Sequence, residues 1–125
     1  MVVMPDAVVD KTVGGIIGSA FGAAGQRCMA GSVVVTVGEA HDRLMPALVE
    51  ATEKLAVGDG IDEATEVGPV VSCAAREEIF GPVLSVIRAD NLDDAIEIVS
   101  SSRFGNGVSI FTENGAAGQR RMRSR

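Results

Sequence analysis

From Asp10 onward, Val13, Ile16, Ile17, Ala20, Phe21 and Ala24 recur at helical spacing and draw one apolar stripe. Asp10 suits the N-cap or the first turn of that helix, and Gly25 suits the position just past its end. Gly14, Gly15, Gly18 and Gly22 each weaken an exposed helix by up to about 1 kcal/mol, so their placement predicts another backbone packed close by. Next comes Ser32-Val33-Val34-Val35-Thr36-Val37, a β-branched run of the kind that buried strands carry. A second helix is predicted with Leu44, Leu48, Ala51, Thr52 and Leu55 on one side and Pro46 in the first turn of its main part. Residues 57–69, rich in Gly and acid, read as loop.

The second half repeats the alternation. Residues 82–87 predict a strand, Leu92, Ala95, Ile96 and Val99 a helix capped near Asn91, and residues 108–112 another strand. Helix, strand, helix, then strand, helix, strand gives an α/β fold in which helices alternate with a mostly parallel sheet. The 125 residues fit one small domain. With no Trp or Tyr and four Phe, its core must be built from Val, Ile, Leu and Ala, and it is correspondingly modest.

A formal charge of −6 argues against nucleic acid as a partner, because phosphate binding needs clustered cations. The one basic run, Arg120, Arg121, Arg123 and Arg125, reads as a solvated, unstructured tail over residues 116–125. Two cysteines, Cys28 and Cys73, make no disulfide framework, and no Cys/His set has metal-ligand spacing. The first residues lack the basic start and apolar run of a signal peptide, and no apolar stretch spans a bilayer. The expectation is a cytoplasmic, reducing setting without membrane contact, where a thiol stays reduced.

Gly25-Gln26-Arg27-Cys28-Met29-Ala30 carries the most chemistry. It places a cysteine between a helix and a strand, at the kind of junction where catalytic groups lie. A thiol reacts as its thiolate, which a neighbouring cation such as Arg27 favours. On spacing alone, an inert, packed cysteine is the simpler account of Cys28. The wider string Phe21-Gly22-Ala23-Ala24-Gly25-Gln26-Arg27-Cys28 resembles the active-site motif of the aldehyde dehydrogenase superfamily, Gly-Gln-x-Cys. Arg27, Met29-Ala30 and the opening Val2-Val3-Met4-Pro5-Asp6-Ala7 resemble its CoA-acylating, methylmalonate-semialdehyde branch.

The resemblance implies that Cys28 is the catalytic nucleophile, attacking the aldehyde carbonyl while its own backbone N–H helps hold the oxyanion. It also implies that Arg27 binds the substrate carboxylate through its guanidinium, although a structural ion pair accounts for that residue as well. Glu77-Glu78-Ile79-Phe80-Gly81-Pro82-Val83 resembles the family's Glu-x-Phe-Gly-Pro motif. By that likeness Glu78 and Phe80 bind the cofactor, the carboxylate on the nicotinamide ribose and the ring at the nicotinamide end. An acidic turn before a core Phe is the simpler account of this motif taken by itself. Phe104-Gly105-Asn106-Gly107 and the strand after it resemble a third family segment, read as structural.

The chain also departs from the family. Val67-Gly68-Pro69-Val70-Val71-Ser72 resembles a family loop, yet Glu77 follows almost at once where the family has several tens of residues. That marks an internal deletion near 73–77, with Cys73 at the seam and no family counterpart. No Gly-x-Gly-x-x-Gly follows a strand, and the Asn that completes the family's oxyanion hole is missing. The expectation is a partial catalytic domain over residues 1–115, about a quarter of a full-length member.

The implied parent enzyme oxidises methylmalonate or malonate semialdehyde with NAD and coenzyme A, holds no metal, and forms homo-oligomers. The rivals are a general NAD(P)-dependent aldehyde dehydrogenase, which hydrolyses its thioester, and a non-catalytic fragment. His41 lies between acids at Glu39 and Asp42 and reads as a surface residue rather than a base for Cys28. Asp59/Asp62 and Asp93/Asp94 suit loop solvation and a helix start better than a metal.

Overall fold

A four-stranded sheet, in the order β3-β2-β1-β4, organises the protein. Its strands are β1 (Val2–Val3), β2 (Val33–Val37), β3 (Ser85–Ala89) and β4 (Ile110–Phe111). The structure, a computed structural model, describes residues 1–74, 81–103, 105 and 107–119. All three pairings are parallel: Val2 faces Val35 and Ile110, and Val35 faces Ile87. Parallel neighbours need long crossovers. Helices α1 (Val9–Ala20), α2 (Ala40–Glu53) and α3 (Leu92–Ser101) supply them, and α4 (Gly115–Gln119) follows β4.

The β-branched run of β2 lies inside the sheet, with Val34, Val35, Thr36 and Val37 all buried. Alternation along the strands then divides the core. Val3 and Val34 pack with Val13, Ile16, Leu44 and Leu48 under α1 and α2. Val2, Val35, Val37 and Ala89 pack with Ala95 of α3 on the other face. The α/β reading of the sequence therefore holds, in three layers.

Several boundaries differ from the hydrophobic pattern. Helix α1 stops at Ala20, short of Gly25, and gives way to a 3-10 turn over Gly22–Gly25. Ala23 and Ala24 there take left-handed φ values of 52° and 54°, which no α-helix accommodates. Asp10 falls in the first turn, whereas the N-cap is Val8, which makes no side-chain cap. The predicted close backbone beside the α1 glycines is not found: Gly14 and Gly18 face open space, and Gly15 meets the Phe111 ring.

Helix α2 begins at Ala40, so Pro46 sits in its interior rather than its first turn, and Leu55 lies beyond its end. Pro46 is exposed, on the side away from the buried Leu44 and Leu48. Strand β3 starts three residues later and ends two later than predicted, and β4 keeps two of its five predicted residues. Asn91 caps α3 as expected, its Oδ1 accepting the Asp94 N–H at 3.0 Å. The tail expected to be unstructured from residue 116 is helical through Gln119, where Asn114 Oδ1 accepts the Ala116 N–H at 3.0 Å. The arginines from 120 on lie outside the described residues. Among the described residues no helix is long and apolar enough to cross a membrane.

Candidate active site

In a parallel sheet every helix returns its chain to the same edge, the one where strands begin. Residues 26–32 enter β2, residues 81–84 enter β3, and residues 105–109 enter β4. The topology alone therefore draws the three sequence motifs to one side of the molecule. Side-chain and backbone contacts then tie them together.

Gly25 has φ +70° and is buried. A Cβ on it would lie 2.6 Å from the Gly81 carbonyl oxygen, so this backbone meets that of the second motif where only glycine fits. The side-chain oxygen Oε1 of Gln26 accepts the Val71 N–H at 2.9 Å. Beyond the cysteine, a Cβ on Gly107 of the third motif would lie 3.4 Å from Met29 Cε. Gly31 N–H donates to Ser19 Oγ at 3.0 Å, fastening the loop's exit to α1. Cys28 stands between these anchors and is exposed.

Arg27 turns back toward α1. Its guanidinium donates to the Gly18 carbonyl and lies over Gly22, where a Cβ would meet Nη2 at 2.6 Å. A cation on a carbonyl in the last turn of a helix complements the negative end of the helix dipole. Neither sequence reading of Arg27, substrate carboxylate or structural acid, foresaw that role.

Beside the Cys28 loop, a cleft of about 360 Å³ opens at the same sheet edge, lined by Met1, Gly31, Ser32, Ile98 and Gly107 among others. The Met1 amine donates to the Val33 carbonyl at 2.7 Å there, and burial lowers its pKa from the ordinary α-amino value.

Not every predicted residue joins this edge. Glu78 and Phe80 lie outside the described residues. Cys73 is exposed two residues beyond Val71, on the segment that Gln26 holds. His41 is half-buried rather than a surface residue. Its Nδ1 lies 3.1 Å from Thr36 Oγ1, which itself donates to the Ile87 carbonyl, so Nδ1–H is the donor to the hydroxyl. Thr36 lies near the far end of β2, about 10 Å along the strand from Val33, and His41 lies beyond that end, so His41 forms no dyad with Cys28. Asp59 and Asp62 accept the N–H groups of Ile61 and Ala64, as loop residues do. Among the described residues no group of three or more His, Cys, Asp and Glu could hold a metal.

The turns at the opposite sheet edge do not fit a pyrophosphate. The one after β1 runs Met4-Pro5-Asp6-Ala7-Val8 without glycine, and Gly38 after β2 is a lone glycine followed at once by the acidic Glu39. A dinucleotide's phosphates need glycine-rich backbone and no like charge.

What the motif reading missed is how the motifs are joined. Gln26 and Met29 entered it as flanking letters, and nothing in a linear string shows that they reach Val71 and Gly107. The glycine at 25 was the available signal, since a glycine beside a reactive residue often marks a close backbone approach.

The chain matches the aldehyde dehydrogenase family over residues 1–77 and again over residues 72–124. It is 38% identical to a Drosophila pseudoobscura pseudoobscura protein described as a probable acylating methylmalonate-semialdehyde/malonate-semialdehyde dehydrogenase of the mitochondrion. That alignment runs over 170 positions and covers 95% of this chain and 32% of the relative. It is 33% identical to malonate-semialdehyde dehydrogenase 1 of Oceanobacillus iheyensis, covering 94% of this chain and 35% of the relative. Among solved structures, the methylmalonate-semialdehyde dehydrogenase of Sinorhizobium meliloti 1021 complexed with NAD superposes with a TM-score of 0.89 at 33% identity. It covers 94% of this chain and 34% of its own. The chain spans about a third of the length of the curated relatives it matches. On these matches and on the gathered motifs, the chain belongs to the aldehyde dehydrogenase family.

Proposed function

We propose that this chain is the nucleophile-bearing part of a dehydrogenase that oxidises methylmalonate or malonate semialdehyde to an acyl-CoA. The observation that carries this reading is the exposed Cys28 at the edge where Gly25 meets Gly81 and Met29 meets Gly107. The identities to semialdehyde dehydrogenases support the substrate class. Cys28 Sγ attacks the aldehyde carbon, its backbone N–H steadies the oxyanion, and oxidation of the thiohemiacetal leaves a thioester for the thiol of coenzyme A. NAD, bound in the Sinorhizobium meliloti relative, is the proposed hydride acceptor. On the reading by resemblance, Glu78 and Phe80 hold its nicotinamide end and Arg27 binds the substrate carboxylate. The described turns offer no pyrophosphate site, so this chain by itself is expected to bind NAD weakly or not at all.

We read residues 1–115 as a partial catalytic domain shortened near 73–77. The two overlapping family matches support this. So does an alignment of 170 positions, which 95% of 125 residues, about 119, cannot fill without a long gap. NADH formation by the 125-residue chain given methylmalonate semialdehyde, NAD and coenzyme A tests the proposal, with Cys28→Ala as control. No turnover from the folded chain is expected. Turnover that Cys28→Ala abolishes would confirm the chemistry and overturn the reading that this chain is incomplete for it.

A further inference from the structure

Two cysteines are present in this chain, both described, and the fold brings their segments together. Cys28 and Cys73 are each two residues past the partners of one hydrogen bond, Gln26 Oε1 accepting the Val71 N–H at 2.9 Å. A second tie holds the far side of the same segment, where the Gly81 carbonyl packs on Gly25. Val71 and Gly81 thus each touch the residues just before Cys28, and Cys73 stands two residues past the first of these ties. Both cysteines are exposed residues, as are Val71, Ser72 and Ala74, so no packed core resists their approach.

We propose that Cys28 and Cys73 form a reversible intramolecular disulfide on exposure to a peroxide, so that Cys73 is a resolving thiol for Cys28. The Cys28 thiolate attacks a peroxide oxygen, the O–O bond breaks, and the departing oxygen takes a proton to leave as water (as the alcohol for an alkyl hydroperoxide). The sulfenic acid so formed is attacked by the Cys73 thiolate. An S–S bond forms, the S–O bond breaks, and the hydroxide that leaves takes up from solvent the proton Cys73 lost on ionising, giving a second water. Both sulfurs are oxidised and one peroxide is reduced. The two ties raise the effective concentration of Cys73 at Cys28 above that of a second chain in dilute solution, which favours closure within the molecule. Pairing does not depend on the dehydrogenase reading. Its consequence, a blocked nucleophile protected from irreversible oxidation, does rest on that reading of Cys28.

The folded 125-residue chain is treated with one equivalent of hydrogen peroxide at micromolar concentration, acid-quenched, alkylated and digested with trypsin. The expected product is monomeric on a non-reducing gel and lighter by two hydrogens. It joins the peptide of residues 28–43 to that of residues 55–76, and dithiothreitol separates them. Cys73→Ser is expected to stop at a dimedone-reactive sulfenic acid on Cys28. Separate over-oxidation of the two thiols, or chain-to-chain crosslinks as the main product of the wild-type chain, overturns the proposal. Because the readout is mass and thiol content, its failure is distinct from failure of the NADH assay.

Discussion

Gly25 and Gly81 touch backbone to backbone, so closely that a Cβ on Gly25 would fall 2.6 Å from the Gly81 oxygen and 2.8 Å from its carbonyl carbon. Gly25 also carries φ +70°, where an L side chain is strained. The two penalties coincide and neither neighbour is a flexible side chain that could move aside. Gly25→Ala is therefore expected to destabilise the chain by about 2–5 kcal/mol. Urea unfolding followed by circular dichroism measures this, and a loss under about 1 kcal/mol would show that the contact is not made.

Ala23 gives the opposite expectation. It holds φ 52° with an exposed side chain, so its methyl group strains the turn and packs little. Ala23→Gly relieves a left-handed penalty of about 1–2 kcal/mol and costs about 0.5–1 kcal/mol in unfolded-chain entropy. A small net gain in urea midpoint is expected. A clear loss would mean that Ala23 does not occupy that conformation.

Arg27 separates a structural role from a substrate role. Its guanidinium caps the Gly18 carbonyl at the end of α1, so Arg27→Ala is expected to cost about 1–2 kcal/mol of stability, most of it lost with the charge-assisted bond. Arg27→Gln, which keeps a donor, should recover part of that. Unchanged stability in Arg27→Ala would remove the cap and leave the substrate reading of Arg27 standing alone.

Much of the fold was legible because the sheet is simple. Val33, Val34 and Val35 announce β2, and Leu44 and Leu48 announce the buried side of α2, since burial of β-branched and leucine side chains drives both elements. The end of α1 was not legible. Phe21 and Ala24 continue its apolar stripe, and nothing local announces the left-handed turn at Ala23 and Ala24 or the meeting of Gly25 with Gly81 far along the chain. Pro46 misled for a related reason, because tertiary packing of Leu44 and Leu48 outweighs one lost helical bond on the exposed side. In the site, Cys28 was identifiable by resemblance, whereas the hydrogen bond from Val71 to Gln26 joins residues 45 apart and leaves no local pattern.

The amine of Met1 gives a pH dependence for the 125-residue chain. Burial lowers its folded-state pKa below the ordinary value near 8. Between the folded and unfolded values, the unfolded chain binds more proton, so stability rises as pH climbs through that window and the penalty is fully present below it. Urea midpoints measured from pH 6 to 9 should increase across the region just under about 8. N-terminal acetylation, which removes the titration, should flatten the increase.

His41 supplies the test of where the chemistry lies. Its Nδ1 engages the buried Thr36 hydroxyl at the end of β2 remote from Cys28. A base that activated Cys28 would raise its thiolate fraction, and removing that base would slow alkylation by iodoacetamide by an order of magnitude or more. His41→Ala is instead expected to leave the alkylation rate of Cys28 unchanged within about twofold, measured in Cys73→Ser so that one thiol reports. The same substitution deprives the buried Thr36 hydroxyl of a partner, so a modest stability loss of about 1 kcal/mol should accompany it. Stability loss without a change in thiol reactivity places His41 in the fold and not in the active site. A tenfold slower alkylation in a folded His41→Ala chain would mean that the two ends of β2 are coupled in a way the hydrogen bonds here do not provide.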